Sequence, residues 1–258
     1  MKRVLTAVWL VPAATYCIFF APHWLFVAVV CVLALLCYRE YTRIVGNQGL
    51  DGNTAAGCVL GLLILLVPGI EWTDLVLLAP IALGLGMRFG DCKAGFATAG
   101  AFALGLLYIF GAWRCGIALH QRSVHWLFFA VALNWAGDVA AYYTGRAFGR
   151  HKLAPTISPG KTIEGSIGGI LASVVFGCLY LRYFLPEVSL PGAIALSTLG
   201  NIAGQTGDLA ESALKRGADM KDSGGMLAGH GGWLDRLDSS LFSMPVVYWA
   251  LLTYSRWR

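Results

Sequence analysis

The chain has 258 residues, 57% of them hydrophobic and only 13% charged, whereas an ordinary soluble domain is about 25% charged. With a mean hydropathy of +0.67, that balance excludes an ordinary soluble enzyme and points to a polytopic membrane protein read as one domain, residues 1–258. The net charge of +5 is modest and gives no sign of a nucleic-acid partner.

Met1-Lys2-Arg3 ahead of an apolar run resembles a signal peptide, but eight further apolar runs follow, so the run reads as a first, uncleaved span. The nine candidate spans are Val4–Phe20, Trp24–Tyr38, Ala55–Val67, Leu75–Met87, Phe96–Ile117, Val124–Thr144, Ser166–Leu185, Pro191–Ala210 and Ser239–Tyr254. Several fall short of the ~20 residues that a crossing helix needs, and the last two can extend into the charged stretch between them. The runs are continuous rather than alternating, which selects helices over a barrel. The predicted fold is an all-α polytopic integral membrane protein of about nine transmembrane helices.

Placing the N-terminus inside puts fourteen of the nineteen Lys and Arg residues on the inner side, as the positive-inside rule requires. Both polar loops then face the cytoplasm from the cell's inner (plasma) membrane. Arg256 and Arg258 run against this count, and one missed or spurious span before residue 146 would invert it.

Residues 1–120 read as mainly structural spans. Pro12, Pro68 and Pro80 suit kinks, and Gly57, Gly61, Gly84, Gly86, Gly95 and Gly100 suit close packing in lipid, which permits a homodimer. His23, Glu71 and Asp74 sit at predicted ends and face water. Seven cysteines without a CxxC pair read as small apolar residues, not as a disulfide framework or a zinc site.

Chemistry is expected in residues 124–254. In the sixth span Asn134 and Asp138 stand four apart on one helical face, continued by Tyr142 and Gly145. An ionisable residue in an apolar run is costly and marks a functional site by default, although Asp138 can instead pair with Arg146 or sit among headgroups. The following loop, GRAFGRHKLAPTISPGKTIEGS, ends like a Walker A loop at Gly160-Lys161-Thr162. Pro155 stands where the leading Gly belongs and no strand is expected before it, so a P-loop is rejected. Pro159 and Gly160 predict a turn, and Ser158 or Thr162 an N-cap for the next helix. A helix N-terminus beside Lys161 suits an anionic phosphate.

The stretch Asp208–Asp238 holds six of the fourteen acidic residues. Asp208, Glu211, Ser212 and Lys215 share one helical face, and Asp235 and Asp238 share another. Such carboxylates prefer a hard cation, Mg²⁺ rather than Zn²⁺. Gly224, Gly225, Gly229, Gly231 and Gly232 exceed what a solvated loop needs and leave backbone amides able to approach an anion.

Ser212-x-x-Lys215-Arg216, Lys221-Asp222-Ser-Gly224 and His230-Gly231-Gly232-x-x-Asp235-Arg236-x-Asp238 together resemble the signature of phosphatidate cytidylyltransferases, the CDP-diacylglycerol synthases. Asp138-x-x-Ala141-Tyr142 and Ser158-Pro-x-Lys161-Thr162-x-Glu164-Gly165 are similar to that family too, while Ala228 stands where it usually has Pro or Gly. The resemblance is detailed in the second half of the chain and general in the first.

It implies a nucleotidyltransferase that converts CTP and phosphatidate to CDP-diacylglycerol and pyrophosphate in phospholipid biosynthesis, in the bilayer. On that reading Asp208, Asp235 and Asp238 hold Mg²⁺ (or Mn²⁺), with Asp138 and Asp222 as further members and room for a second metal or a monovalent ion. Lys215, Arg216, Lys221 and Arg236 contact phosphates together with Asp222. Ser158, Lys161, Thr162, Ser212, Gly231 and Gly232 hold substrate, and His230 either bonds the leaving pyrophosphate or fixes the turn. Two alternatives stay open: a cytidylyltransferase for another lipid phosphate, and an ion-coupled transporter suggested by Asp138 and the broken final segments.

Overall fold

The computed structural model describes residues 2–50, 53–69, 77–86, 92–226 and 231–256. The apolar runs fold as helices because a helix satisfies its backbone groups internally, as hydrocarbon demands. In chain order they are α1 (Lys2–Phe20), α2 (His23–Asn47), α3 (Thr54–Leu66), α4 (Leu78–Gly86), α5 (Cys92–Gly105), a π-helical turn (Leu106–Gly111), α6 (Ala112–Arg122), α7 (Val124–Phe148), α8 (Ile163–Phe184), α9 (Leu190–Gly217) and α10 (Leu234–Arg256). Between α7 and α8 lie two short strands, β1 (Lys152–Ala154) and β2 (Ser158–Thr162).

Among the described residues four helical rods are long and apolar enough to cross a membrane: His23–Asn47, Gly95–Arg122, Val124–Phe148 and Ile163–Phe184. The all-α membrane expectation holds at this level, without the count of nine. The 13 residues of α3 rise only about 20 Å, short of ~30 Å of hydrocarbon. Asn201, Gln205 and Asp208 interrupt the apolar character of α9, as Asp235 and Asp238 do at the start of α10.

The chain divides into two compact units. One comprises Met1–Val11, Ala21–Arg114 and Leu214–Arg236; the other comprises Pro12–Phe20, Cys115–Ala213 and Leu237–Arg258.

In the first unit α2 runs on past its predicted end at Tyr38, because Tyr41, Ile44 and Val45 continue the buried stripe at helical spacing. Tyr38 packs on Phe110 with ring centroids 5.3 Å apart, and Gly57 and Gly61 let α3 close against those two rings. The Tyr41 hydroxyl donates to the Ala101 carbonyl at 2.8 Å. Arg114 donates to the carbonyls of Ile64 and Val67, supplying partners for orphan groups at the end of α3. Gln48, just beyond α2, donates to the Leu214 carbonyl at 3.0 Å and so ties α2 to the end of α9.

In the second unit α7 and α8 pack through small residues. Gly165 lies against the Ala141 carbonyl and Gly145, and Gly169 against the Gly137 carbonyl, the close backbone approach expected of helices in lipid. Polar side chains lace the same helices. Ser173 donates to the Leu133 carbonyl at 2.9 Å, and Asn134 donates to the Ser243 hydroxyl at 2.8 Å. Gln205 donates to Asn201 Oδ1 at 2.6 Å and accepts from the Ser166 hydroxyl. Asn134, which the sequence marks as functional with Asp138, is thus a buried structural bond between α7 and α10.

Candidate active site

The segment predicted as a turn plus helix cap is a hairpin. β1 and β2 pair antiparallel, with Lys152 opposite Thr162 and Ala154 opposite Ser158. The reversal falls at Pro155–Ile157, where the Ile157 amide donates to the Ala154 carbonyl at 3.2 Å, and not at Pro159-Gly160. Lys152 Nζ donates to the Pro159 carbonyl at 2.8 Å, which holds β2 in place. Thr162 is the N-cap of α8, its hydroxyl accepting from the Gly165 amide at 3.1 Å. Glu164 accepts from the Arg150 and His151 amides and from His151 Nδ1 at 2.7 Å, which ties the base of the hairpin to the first turn of α8. A strand, β1, does precede the Gly160-Lys161-Thr162 run, contrary to the sequence expectation. That run lies within β2, however, and no phosphate-wrapping loop separates β2 from α8, so a P-loop is rejected on this geometry instead.

This scaffold carries Lys161 to α9. Lys161 Nζ lies 2.7 Å from Asp208 Oδ2, with both side chains about one-third exposed. Ser212, one turn further along α9, donates to Asp208 Oδ1 at 3.4 Å. Asp238 is buried on α10, and its carboxylate accepts from the Ser239 amide at 2.7 Å. Gly207, beside Asp208, lets α9 pack onto the Asp238 carbonyl and Phe242, where any side chain would collide. The second unit thus gathers Lys161, Asp208 and Ser212, and brings the backbone next to Asp208 onto that of Asp238. Ser158 is half-buried on β2 and Asp138 is exposed on α7.

A second cluster lies wholly in the first unit. Lys215 forms an ion pair with Asp235 Oδ1, both side chains largely buried. Asp235 Oδ2 accepts from the Gly232 amide at 2.7 Å and the Ser223 amide at 2.9 Å, and lies 3.0 Å from the Ser223 hydroxyl oxygen. Asp235 precedes the predicted last span. Burial pushes its carboxyl upward, but the Lys215 ammonium and the Gly232 and Ser223 amides outweigh that and hold it below the ordinary value. Gly231 adopts a positive φ of 77°, and Asp222 packs beside it. Arg216, Lys221, Asp222 and Arg236 are exposed, and His230 lies outside the described residues, as do Glu71, Asp74 and Arg88.

The sequence reading passed over Glu40. This α2 residue is buried and accepts from the Ser223 hydroxyl and the Trp233 and Leu234 amides. The amides of Gly232, Trp233 and Leu234 are therefore engaged by carboxylates and not turned to an outside anion. The only sequence signal was a lone carboxylate between Arg39 and Arg43, which reads equally as the wet end of a span.

Among the described residues no three His, Cys, Asp or Glu side chains stand together as a metal cluster. Mg²⁺ is nevertheless commonly held by one or two carboxylates plus substrate phosphates, not by an all-protein cage. Asp208, part-exposed with Lys161 as its counter-ion, and the buried Asp238 are hard oxygen donors that fit it.

Residues 1–254 match the model of the cytidylyltransferase family. The chain is 38% identical over 163 residues to a phosphatidate cytidylyltransferase of Bacillus subtilis, covering 63% of this chain and 60% of that one. It is 33% identical over 202 residues to a phosphatidate cytidylyltransferase of Staphylococcus saprophyticus, covering 73% and 75%. It is 32% identical over 230 residues to one of Staphylococcus aureus, covering 84% and 85%.

Proposed function

The chain belongs to the cytidylyltransferase family, and on that premise we infer that it transfers the cytidylyl group of CTP to phosphatidate, yielding CDP-diacylglycerol and pyrophosphate for phospholipid synthesis. The observation that carries the site assignment is the Lys161–Asp208 ion pair. It joins the Ser158–Glu164 segment to the acidic face of α9 and so supports reading the two stretches as one site.

The nucleophile is a phosphate oxygen of the lipid, largely ionised at neutral pH because the second pKa of such a phosphate is about 6. No side-chain base is needed. The obstacle is repulsion between the lipid phosphate and the triphosphate, and catalysis consists of positioning and charge neutralisation for in-line attack at the α-phosphorus. Mg²⁺, or Mn²⁺ in its place, supplies charge neutralisation when bound; Asp208 and Asp238 would hold it, and the sequence adds Asp138 and Asp235. Lys161 contacts a phosphate oxygen, and Ser158, Thr162 and Ser212 line its surroundings. Lys215, Arg216, Lys221 and Arg236 offer further cationic donors, with His230 on the leaving pyrophosphate.

The excess of Lys and Arg on one side supports a site facing the cytoplasm from the inner membrane, within a chain of about nine crossings. Small-residue helix faces are compatible with a homodimer, which crosslinking in membranes would reveal.

Purified protein supplied with radiolabelled CTP and phosphatidate is expected to form a lipid-soluble cytidine product, to lose that activity with a chelator and to regain it with Mg²⁺ or Mn²⁺. No product under any of these conditions sinks the assignment. Competing lipid phosphates in the same assay identify the preferred acceptor.

A further inference from the structure

The Glu40 carboxylate is only 5% exposed and gathers three donors from the far end of the sequence: the Ser223 hydroxyl at 2.7 Å, the Leu234 amide at 2.8 Å and the Trp233 amide at 3.0 Å. Trp233 immediately precedes α10 and Leu234 is its first residue. Glu40 therefore does from α2 what an N-cap side chain does locally, with its charge at the positive end of the α10 dipole. The loop is built to admit it, since a Cβ at Gly224 or Gly232 would overlap the Glu40 carboxylate.

The Ser223 hydroxyl that reaches Glu40 also lies 3.0 Å from Asp235 Oδ2. A hydroxyl has one proton to donate, so a single donor couples two carboxylates. Ser223 thus stands between Glu40 and Asp235, and Asp235 in turn pairs with Lys215. Truncating a buried, fully bonded carboxylate also strands its donors, which makes the contact specific as well as strong.

We propose that Glu40 is a positioning residue of the enzyme: it clamps the segment from Ser223 to Leu234 and, through Ser223, fixes the carboxylate of Asp235 without touching either substrate. This role rests on the cytidylyl-transfer reading for its kinetic consequence. It also engages the Trp233 and Leu234 amides, so those two donors are not offered to a substrate phosphate.

The test compares full-length wild type, E40Q, E40D, S223A and E40Q/S223A in lipid nanodiscs, by steady-state cytidylyl transfer and by amide hydrogen exchange across residues 222–236. E40Q is expected to lower kcat about 10- to 100-fold, the usual cost of losing a group that orients a ligand-bearing side chain, with KM for CTP and phosphatidate nearly unchanged and faster exchange in 222–236. E40D should recover part of kcat. The double variant should be no worse than E40Q, because both changes break one linkage.

Wild-type kcat in E40Q, unchanged exchange, or losses that multiply in the double variant would each overturn the proposal. If E40Q does not fold, S223A alone must show lower kcat and faster exchange, and a normal S223A overturns the idea. If wild type itself transfers no cytidylyl group, the assigned reaction fails, while the exchange data still decide whether Glu40 clamps the segment.

Discussion

Lys161 Nζ on β2 stands 2.7 Å from Asp208 Oδ2 on α9, in a pair about one-third exposed to solvent. At that exposure the attraction stabilises the fold by only about 0–1 kcal/mol, so its presence on a dedicated hairpin calls for another reason. Lys161→Gln is therefore expected to leave thermal unfolding in detergent nearly unchanged. Cytidylyl transfer should fall on the order of 100-fold, as when one preorganised donor to developing charge is removed. A variant with normal turnover would take Lys161 out of the substrate site.

Asp208→Asn should separate the two partners. It removes a hard anionic donor while keeping the shape, so the Mg²⁺ concentration for half-maximal activity should rise sharply and kcat should drop. A Mg²⁺ titration that superimposes on wild type would exclude Asp208 as a metal ligand.

The Lys215–Asp235 pair predicts the opposite balance of effects, because both side chains are largely buried. Asp235→Asn removes the anionic half of a largely buried pair while Lys215 keeps its charge, a loss on the order of 3 kcal/mol, with activity abolished. The folded pKa of Asp235 is depressed, so its stabilisation is fully present above the ordinary Asp value of about 3.9 and is lost as pH falls through the folded value. Acid unfolding of wild type should be steeper below about pH 4 than that of Asp235→Asn, which lacks this titration. Identical acid limbs would show that the pair does not contribute.

How much of this was legible in the sequence depended on range. Local signals succeeded: Thr162 as a cap, and Asp208, Ser212 and Lys215 along one helix. The hairpin escaped because β1 and β2 are three and five residues long and carry Pro159 and Gly160, which read as a turn; the pairing comes from contacts such as Lys152 to Pro159. Glu40 escaped for a deeper reason. Its partners lie 183 to 194 residues away, and nothing in the run Arg39-Glu40-Tyr41 distinguishes a buried clamp from a solvated helix end. The π-turn at Leu106–Gly111 likewise has no signature in LLYIFG.

Thr162 offers a stability prediction that spares the charged groups. Its hydroxyl caps α8 and is packed among Gly145, Gly149 and Gly165. Thr162→Val keeps the volume and loses the acceptor, which should cost about 1 kcal/mol, whereas Thr162→Ser should retain the cap. Unfolding midpoints that fail to rank wild type and Ser above Val would refute the capping role.

Gly231 gives a sharp test of the signature loop. Its φ of 77° lies in the left-handed region, where a side chain costs about 1–2 kcal/mol, and a Cβ there would also overlap Asp235 Oδ2 and sit 3.4 Å from Asp222 Cβ. Gly231→Ala must therefore pay backbone strain and push Asp235 away from the Ser223 and Gly232 amides. Gly225 has neither constraint, with nothing within 4 Å of an added Cβ. Cytidylyl transfer should collapse in Gly231→Ala and persist in Gly225→Ala, with a lowered unfolding midpoint only in the former. If both variants retain activity, the loop tolerates displacement of Asp235, and the geometry around that carboxylate is not what turnover requires.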